Sequence, residues 1–190
     1  DNFNFDQLNK IKTFPRLELF NDLKIDFSNF KNISSNWITM QEYVNLSNKT
    51  TYLKTHNAMT TINNSKFTDA NNTKGFIYII RDPRDILLSY SSHLGLGVED
   101  TFELMKNDLS FESINNISNK KKAILGSWAS HYKSWKSFRS VKGIFIKYED
   151  MVNDTENVFY KIINYLNKIN NLEINKKKIS NCIKNTNFTK

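Results

Sequence analysis

Two short segments of this 190-residue chain carry side chains able to do chemistry on a small polar molecule. In the first, Thr50-Thr51-Tyr52-Leu53-Lys54-Thr55-His56, the alternation and β-branched content read as a strand. Side chains two apart on a strand share a face, so Lys54 and His56 project together while Thr55 points away. A histidine, with an ordinary pKa of about 6.5, can take the proton of a hydroxyl as that hydroxyl attacks. A lysine beside it can stabilise negative charge developing on a leaving oxygen. The second segment runs from Gly75 to Gly97, where an apolar strand leads into a capped helix with Arg81 at the junction. A guanidinium fork matches phosphate oxygens, and the carboxyl end of a central strand is where open α/β sheets hold ligands. Ser89 lies two turns further along. Each residue also has a plainer reading: Arg81 pairs with a carboxylate, Ser89 is an ordinary helix-face hydroxyl, and His56 is a surface or capping residue.

The elements that must position these residues follow from periodicity. Phe76 to Ile80 is a continuous apolar run, as expected of a strand buried on both faces of a parallel sheet. Asp82 takes the N-cap, Pro83 the first helical position, and Asp85 suits the helix dipole. Helix Pro83–Leu94 stops at Gly95 and Gly97. Upstream, Phe5 to Phe30 read as mixed helix and loop and Ser35 to Val44 as an irregular or short helical segment. Thr60 to Lys74 reads as a polar connection with a short helix near Asn64–Ala70. Downstream, Glu99–Asn107 reads as a short helix, Leu109–Asn119 as a flexible loop over the pocket, and Lys120–Phe138 as one long amphipathic helix. Strand Gly143–Tyr148 and helices Thr155–Asn167 and Lys176–Asn185 complete the order. Trp128, Tyr132 and Trp135 recur at helical spacing as a core stripe, and His93 and His131 read as structural or surface residues. Alternating strands and helices imply a three-layer α/β sandwich with a mainly parallel sheet and right-handed crossovers.

Several motifs, in order, resemble the cytosolic-type sulfotransferases. They are Tyr52-Leu53-Lys54-Thr55-His56, Arg81-Asp82-Pro83-Arg84-Asp85 with Ser89, Gly126-Ser127-Trp128 with His131, Ile146-Lys147-Tyr148-Glu149-Asp150-Met151, and, more weakly, Asn185-Thr186-Asn187-Phe188. The resemblance implies a nucleoside-triphosphate-hydrolase-like (P-loop) fold. It also implies transfer of a sulfuryl group from 3'-phosphoadenosine 5'-phosphosulfate (PAPS), as co-substrate, to a small-molecule hydroxyl or amine acceptor. His56 matches the catalytic base and Lys54 a lysine lining the transfer site. Arg81 and Ser89 match the pair that grips the 3'-phosphate, and Thr186, Asn187 and Phe188 match the segment bordering the adenine.

The chain departs from the family pattern in three places. Residues 1–30 contain no glycine-rich phosphosulfate loop, no glycine-bearing basic segment follows Phe188, and Leu125 replaces the tyrosine that usually precedes Gly126. The expectation is therefore a single, incomplete sulfotransferase-like domain over residues 1–190, an internal portion of a longer protein. Two other readings stay open: a non-catalytic nucleotide-binding or interaction domain of the same fold, and a kinase-like phosphoryl transferase, which needs a Walker-type loop and a magnesium-binding carboxylate.

Composition bounds the remaining choices. At 39% hydrophobic and 13% aromatic, the chain has the makings of a folded core. No apolar run approaches the roughly twenty residues of a membrane helix, and no signal peptide is visible. A single cysteine, Cys182, fits a reducing compartment and packing rather than reactivity, so a cytoplasmic location is expected. The net charge of +8 has lysine clusters at Lys120–Lys122 and Lys176–Lys178 but no nucleic-acid module, which favours an anionic small molecule over nucleic acid or membrane. No metal-ligand constellation is visible, and the resemblance allows a homodimer.

Overall fold

The computed structural model describes residues 11–15, 23–114, 117–170 and 176–185. In chain order these hold β1 (Lys12–Thr13), α1 (Phe30–Ser35), α2 (Trp37–Asn45), β2 (Leu53–Lys54), β3 (Thr61–Ile62), β4 (Ser65–Lys66), β5 (Phe76–Ile80) and α3 (Pro83–Leu94). They continue with α4 (Val98–Lys106), β6 (Phe111–Ile114), β7 (Ile117–Ile124), α5 (Trp128–Ser137), β8 (Gly143–Lys147), α6 (Tyr148–Asn153), α7 (Thr155–Asn170) and α8 (Lys176–Asn185).

Two pairs of parallel strands carry the candidate site. β5 runs beside β8 with Ile80 opposite Lys147, and β1 runs beside β2 with Thr13 opposite Lys54. Antiparallel pairs β3–β4 and β6–β7 accompany them among the described residues. The parallel pairs and intervening helices agree with the α/β class; the described strands form four two-stranded sheets. None of the described helices is long and apolar enough to cross a membrane.

Alternation along β5 decides what it packs against. Phe76 and Tyr78 point toward α5 and β8: Phe76 lies 4.9 Å from the Trp135 ring centre, and Tyr78 lies 5.3 Å from Phe145. Ile77 and Ile79 occupy the opposite face and remain 37% and 55% exposed, so the strand is covered on one face rather than the expected two. Beneath α5 the core gathers Phe14, Ile33, Trp37, Met40, Phe67 and Trp135. Its rings meet edge to face, with Trp37 5.3 Å and Trp135 6.1 Å from Phe67. Trp128 stacks on Tyr132 and Tyr132 meets Phe145, so the helical stripe is a packing stripe as expected.

The α3 terminus follows the sequence rules. The Asp82 carboxylate accepts the Arg84 amide at 2.8 Å, Pro83 opens the helix, and Gly95 closes it at φ 66°. Elsewhere the structure corrects the expectations. Residues Lys120–Ile124 belong to strand β7, and the long helix begins only at Trp128. The reason is local: Gly126 adopts φ 66°, and the Ser127 hydroxyl caps the new helix by accepting the Ser130 amide at 3.1 Å. The loop expected over 109–119 becomes in part strand β6 of that hairpin. Thr60–Lys74 contains no helix but the β3–β4 hairpin, turned by Asn63 and Asn64 at φ 48° and 65°, the left-handed pair that a two-residue turn demands. Ser35–Val44 resolves into the end of α1 and most of α2, and α6 follows β8 directly, an element the periodicity did not indicate.

Gly143 marks the closest approach in the β5–β8 pair. A Cβ there would overlap the Phe76 ring, which Trp135, Phe138 and Phe145 hold in place. At Gly97, by contrast, the nearest atoms to a Cβ lie 3.6 Å away. We expect Gly143→Ala to destabilise the protein by about 1–3 kcal/mol through overpacking. Gly97→Ser, which supplies a better helix cap, should be neutral or stabilising. Urea unfolding of the two variants checks both; equal stability would contradict the packing described.

Candidate functional site

Arg81 leaves the carboxyl end of β5 beside the end of β8, and residues following β8 hold it there. Its guanidinium carbon lies 4.7 Å from the centre of the Tyr148 ring. The next residue, Glu149, accepts the amide of Asp82 at 3.0 Å, which fixes the start of α3 and keeps the Glu149 carboxyl below the usual carboxylate range. Asp85 approaches Arg81 Nε only to 3.7 Å. Arg81 Nε is buried and has no hydrogen-bond partner among the described residues, although the side chain as a whole is 36% exposed. A buried donor on a cation left without an acceptor suits an anion better than it suits a completed internal ion pair.

Arg81 opens onto a cavity of about 190 Å³. Ile80, Ile86, Leu104, Leu125 and Trp128 make its walls apolar, and Ser127 and His131 add polar edges. Leu125, where the sequence pattern called for a tyrosine, thus contributes wall without a hydroxyl. Ser89 does not line this cavity: it sits exposed on α3, with its hydroxyl donating to the Ile86 carbonyl at 3.1 Å.

Lys54 ends β2 with an exposed side chain, and its carbonyl accepts the Phe14 amide at 2.7 Å. Beyond it the chain leaves regular structure, so its main-chain groups need partners of another kind. Helix α5 supplies them from one face. His131 Nε2 meets the His56 carbonyl at 3.2 Å, Trp135 Nε1 donates to the Asn57 carbonyl at 3.0 Å, and the Met59 amide donates to Ser134 Oγ at 3.0 Å. The end of β7 grips the same stretch. Ile124 donates to Asn57 Oδ1 at 3.0 Å, and its carbonyl accepts the Ala58 amide at 2.8 Å.

The other ring nitrogen of His131 lies 2.8 Å from the Tyr78 hydroxyl. A carbonyl can only accept, so Nε2 carries the proton; neutral imidazole then offers the Nδ1 lone pair to the Tyr78 O–H. Burial pushes the His131 pKa below its ordinary value, which favours this neutral form. Burial, with a contribution from Tyr132, pushes the Tyr78 hydroxyl up to about 12, so it remains a donor.

The expectation that His131 is structural or a surface residue therefore needs refining: it is a mostly buried link that also lines the cavity. The available signal was the spacing of His131, Ser134 and Trp135, three hydrogen-bonding side chains at i, i+3 and i+4 on the helix face that packs inward. His93 lies at the exposed end of α3, stacked beside Tyr90, in line with the surface reading. The structure thus places Arg81 on the cavity and ties the His56 backbone to a residue lining it, while Ser89 and Lys54 stand exposed outside that lining. Thr186, Asn187 and Phe188 lie outside the described residues. Among the described residues no cluster of three or more His, Cys, Asp or Glu side chains could hold a metal ion.

Comparison with known proteins gives this arrangement a family. The chain is 32% identical over 94 residues to 3-alpha-hydroxysteroid sulfotransferase of Cavia porcellus, a match covering 48% of this chain and 31% of that protein. It is 33% identical over 93 residues to sulfotransferase 2A1 of Mus musculus, with the same shares. Among solved structures it resembles mouse sulfotransferase SULT7A1 complexed with PAP, with a TM-score of 0.51 at 20% identity over 78% of this chain and 50% of that one. The match spans about a third of the length of these curated relatives and half that of the structural neighbour. Residues 3–190 match the model of the sulfotransferase domain, and the chain belongs to that family.

Proposed function

We propose that the protein to which these residues belong transfers a sulfuryl group from PAPS to the hydroxyl or amine of a small-molecule acceptor. The observation that carries the reading is Arg81, whose buried Nε has no hydrogen-bond partner among the described residues and which faces an apolar cavity at the end of a parallel strand. An anion satisfies the guanidinium, and apolar walls suit a purine ring. When bound, PAPS supplies an activated sulfuryl group and leaves as 3'-phosphoadenosine 5'-phosphate.

In this account Arg81 holds the 3'-phosphate, joined by Ser89, whose exposed hydroxyl is free to rotate away from the Ile86 carbonyl. Thr186, Asn187 and Phe188 border the adenine. His56 takes the proton of the acceptor hydroxyl as its oxygen bonds to sulfur and the bond from sulfur to the phosphate oxygen breaks. Lys54 stabilises the charge left on that oxygen. Residues 1–190 then form a single sulfotransferase-like domain, with β5 and β8 belonging to a three-layer P-loop-type sandwich. The single cysteine supports a cytoplasmic setting.

Two substitutions in the full-length protein separate binding from chemistry. Arg81→Ala should weaken 3'-phosphoadenosine 5'-phosphate by about 100-fold in a calorimetric titration, as loss of a charge-assisted phosphate contact does. Unchanged affinity would remove Arg81 from the site. His56→Ala should keep that affinity within about threefold while turnover falls by about 100- to 10,000-fold, the range for a lost general base. Normal turnover in a folded His56→Ala protein would contradict the mechanism.

A further inference from the structure

The His131 imidazole has both nitrogens engaged: Tyr78 donates to one, and the other donates to the carbonyl of His56. Tyr78 lies three residues before Arg81 on β5. The chain of contacts therefore runs from the strand that presents the candidate anion-binding cation, through one imidazole, to the main chain of the candidate base. Ser134 and Trp135, on the same helix face, hold the two neighbouring main-chain groups, so the helix cannot shift at His131 without straining the others.

We propose that His131 is a positioning residue for sulfuryl transfer, clamping the His56 carbonyl through the Nε2–H that this acceptor-only group selects, with Tyr78 holding the opposite nitrogen. The inference rests on His56 acting as the base. A base works only within hydrogen-bond reach of the proton it removes, and a misplacement of about 1 Å can cost on the order of 100-fold in rate. The backbone at residue 56 is the point from which the His56 ring is aimed. With the clamp released, the ring samples orientations that miss the acceptor, while Arg81 keeps its own supports in Tyr148 and Glu149. His131 thus acts through His56 and touches no reacting atom.

The test uses the full-length protein with Tyr78→Phe, His131→Gln and His131→Phe, each also combined with His56→Ala. His131→Phe should lower kcat by about 10- to 100-fold; because His131 also lines the cavity, 3'-phosphoadenosine 5'-phosphate affinity should fall too, but by less than kcat. His131→Gln, which keeps an N–H at the ε position, should recover most of that loss. Tyr78→Phe removes one hydroxyl and serves if the larger change prevents folding; a smaller kcat loss of the same kind is expected. In the His56→Ala background none of the three should lower the residual rate further, because the clamp then holds nothing that reacts. Equal losses with and without His56, or a loss confined to donor affinity, would overturn the proposal. Long-range proton–nitrogen correlation spectra give a readout independent of turnover. Nε2–H at His131 is expected, and Nδ1–H would refute the clamp even in a protein with no transfer activity. An inactive wild-type protein would instead count against the transfer reading itself.

Discussion

The arrangement depends on one helix face satisfying the main chain of an irregular segment. After β2 the chain runs through His56, Asn57, Ala58 and Met59 outside regular secondary structure, yet Asn57 and Ala58 are buried. A buried carbonyl or amide left unpaired costs about 1–3 kcal/mol, so this segment cannot sit against the core unless something bonds it. His131, Ser134 and Trp135 meet three of those groups, and the Ile124 backbone meets the Ala58 amide and the Asn57 side-chain oxygen. Because Trp135 is also a core ring packed on Phe67 and Phe76, the segment carrying His56 inherits the rigidity of the core.

The same helix connects that segment to the parallel pair. Tyr78 on β5 reaches His131, and three residues later the strand delivers Arg81. On its other flank β8 hands over to Tyr148 and Glu149, one facing the guanidinium and the other capping the amide of Asp82. The segment carrying His56 and the strand carrying Arg81 are thus both tied to α5 from separate elements, each braced by side chains of its own. This fits a transfer reaction, whose rate depends on holding partners in line.

Part of this was legible in the sequence because the signals were local. Asp82, Pro83 and Gly95 fixed both ends of α3, and the apolar run before Arg81 fixed β5, since caps and β-branched runs act within a few residues. The spellings around His56, Arg81 and Trp128 pointed to the family that the domain match then showed. What escaped was set by partners far along the chain or by single residues read too weakly. Lys120–Ile124 looked helical in continuity with the Trp128 stripe, but pairing with Phe111–Ile114 makes it a strand, and Gly126 with Ser127 restarts the chain as helix. Asn63 and Asn64 make a hairpin where polarity suggested loop and helix. His131 looked structural because its bond to His56 spans 75 residues. Ile77 and Ile79 read as buried because periodicity reports apolarity, while cover depends on what lies across the sheet.

The most direct measurement is a crystal structure of the full-length protein with 3'-phosphoadenosine 5'-phosphate. The account predicts the 3'-phosphate on the Arg81 guanidinium, the His56 ring directed at the 5'-phosphate end, and the bonds from His131 and Trp135 to the His56–Asn57 backbone intact. A nucleotide bound with its 3'-phosphate away from Arg81, or with His56 turned out of the site, would contradict it.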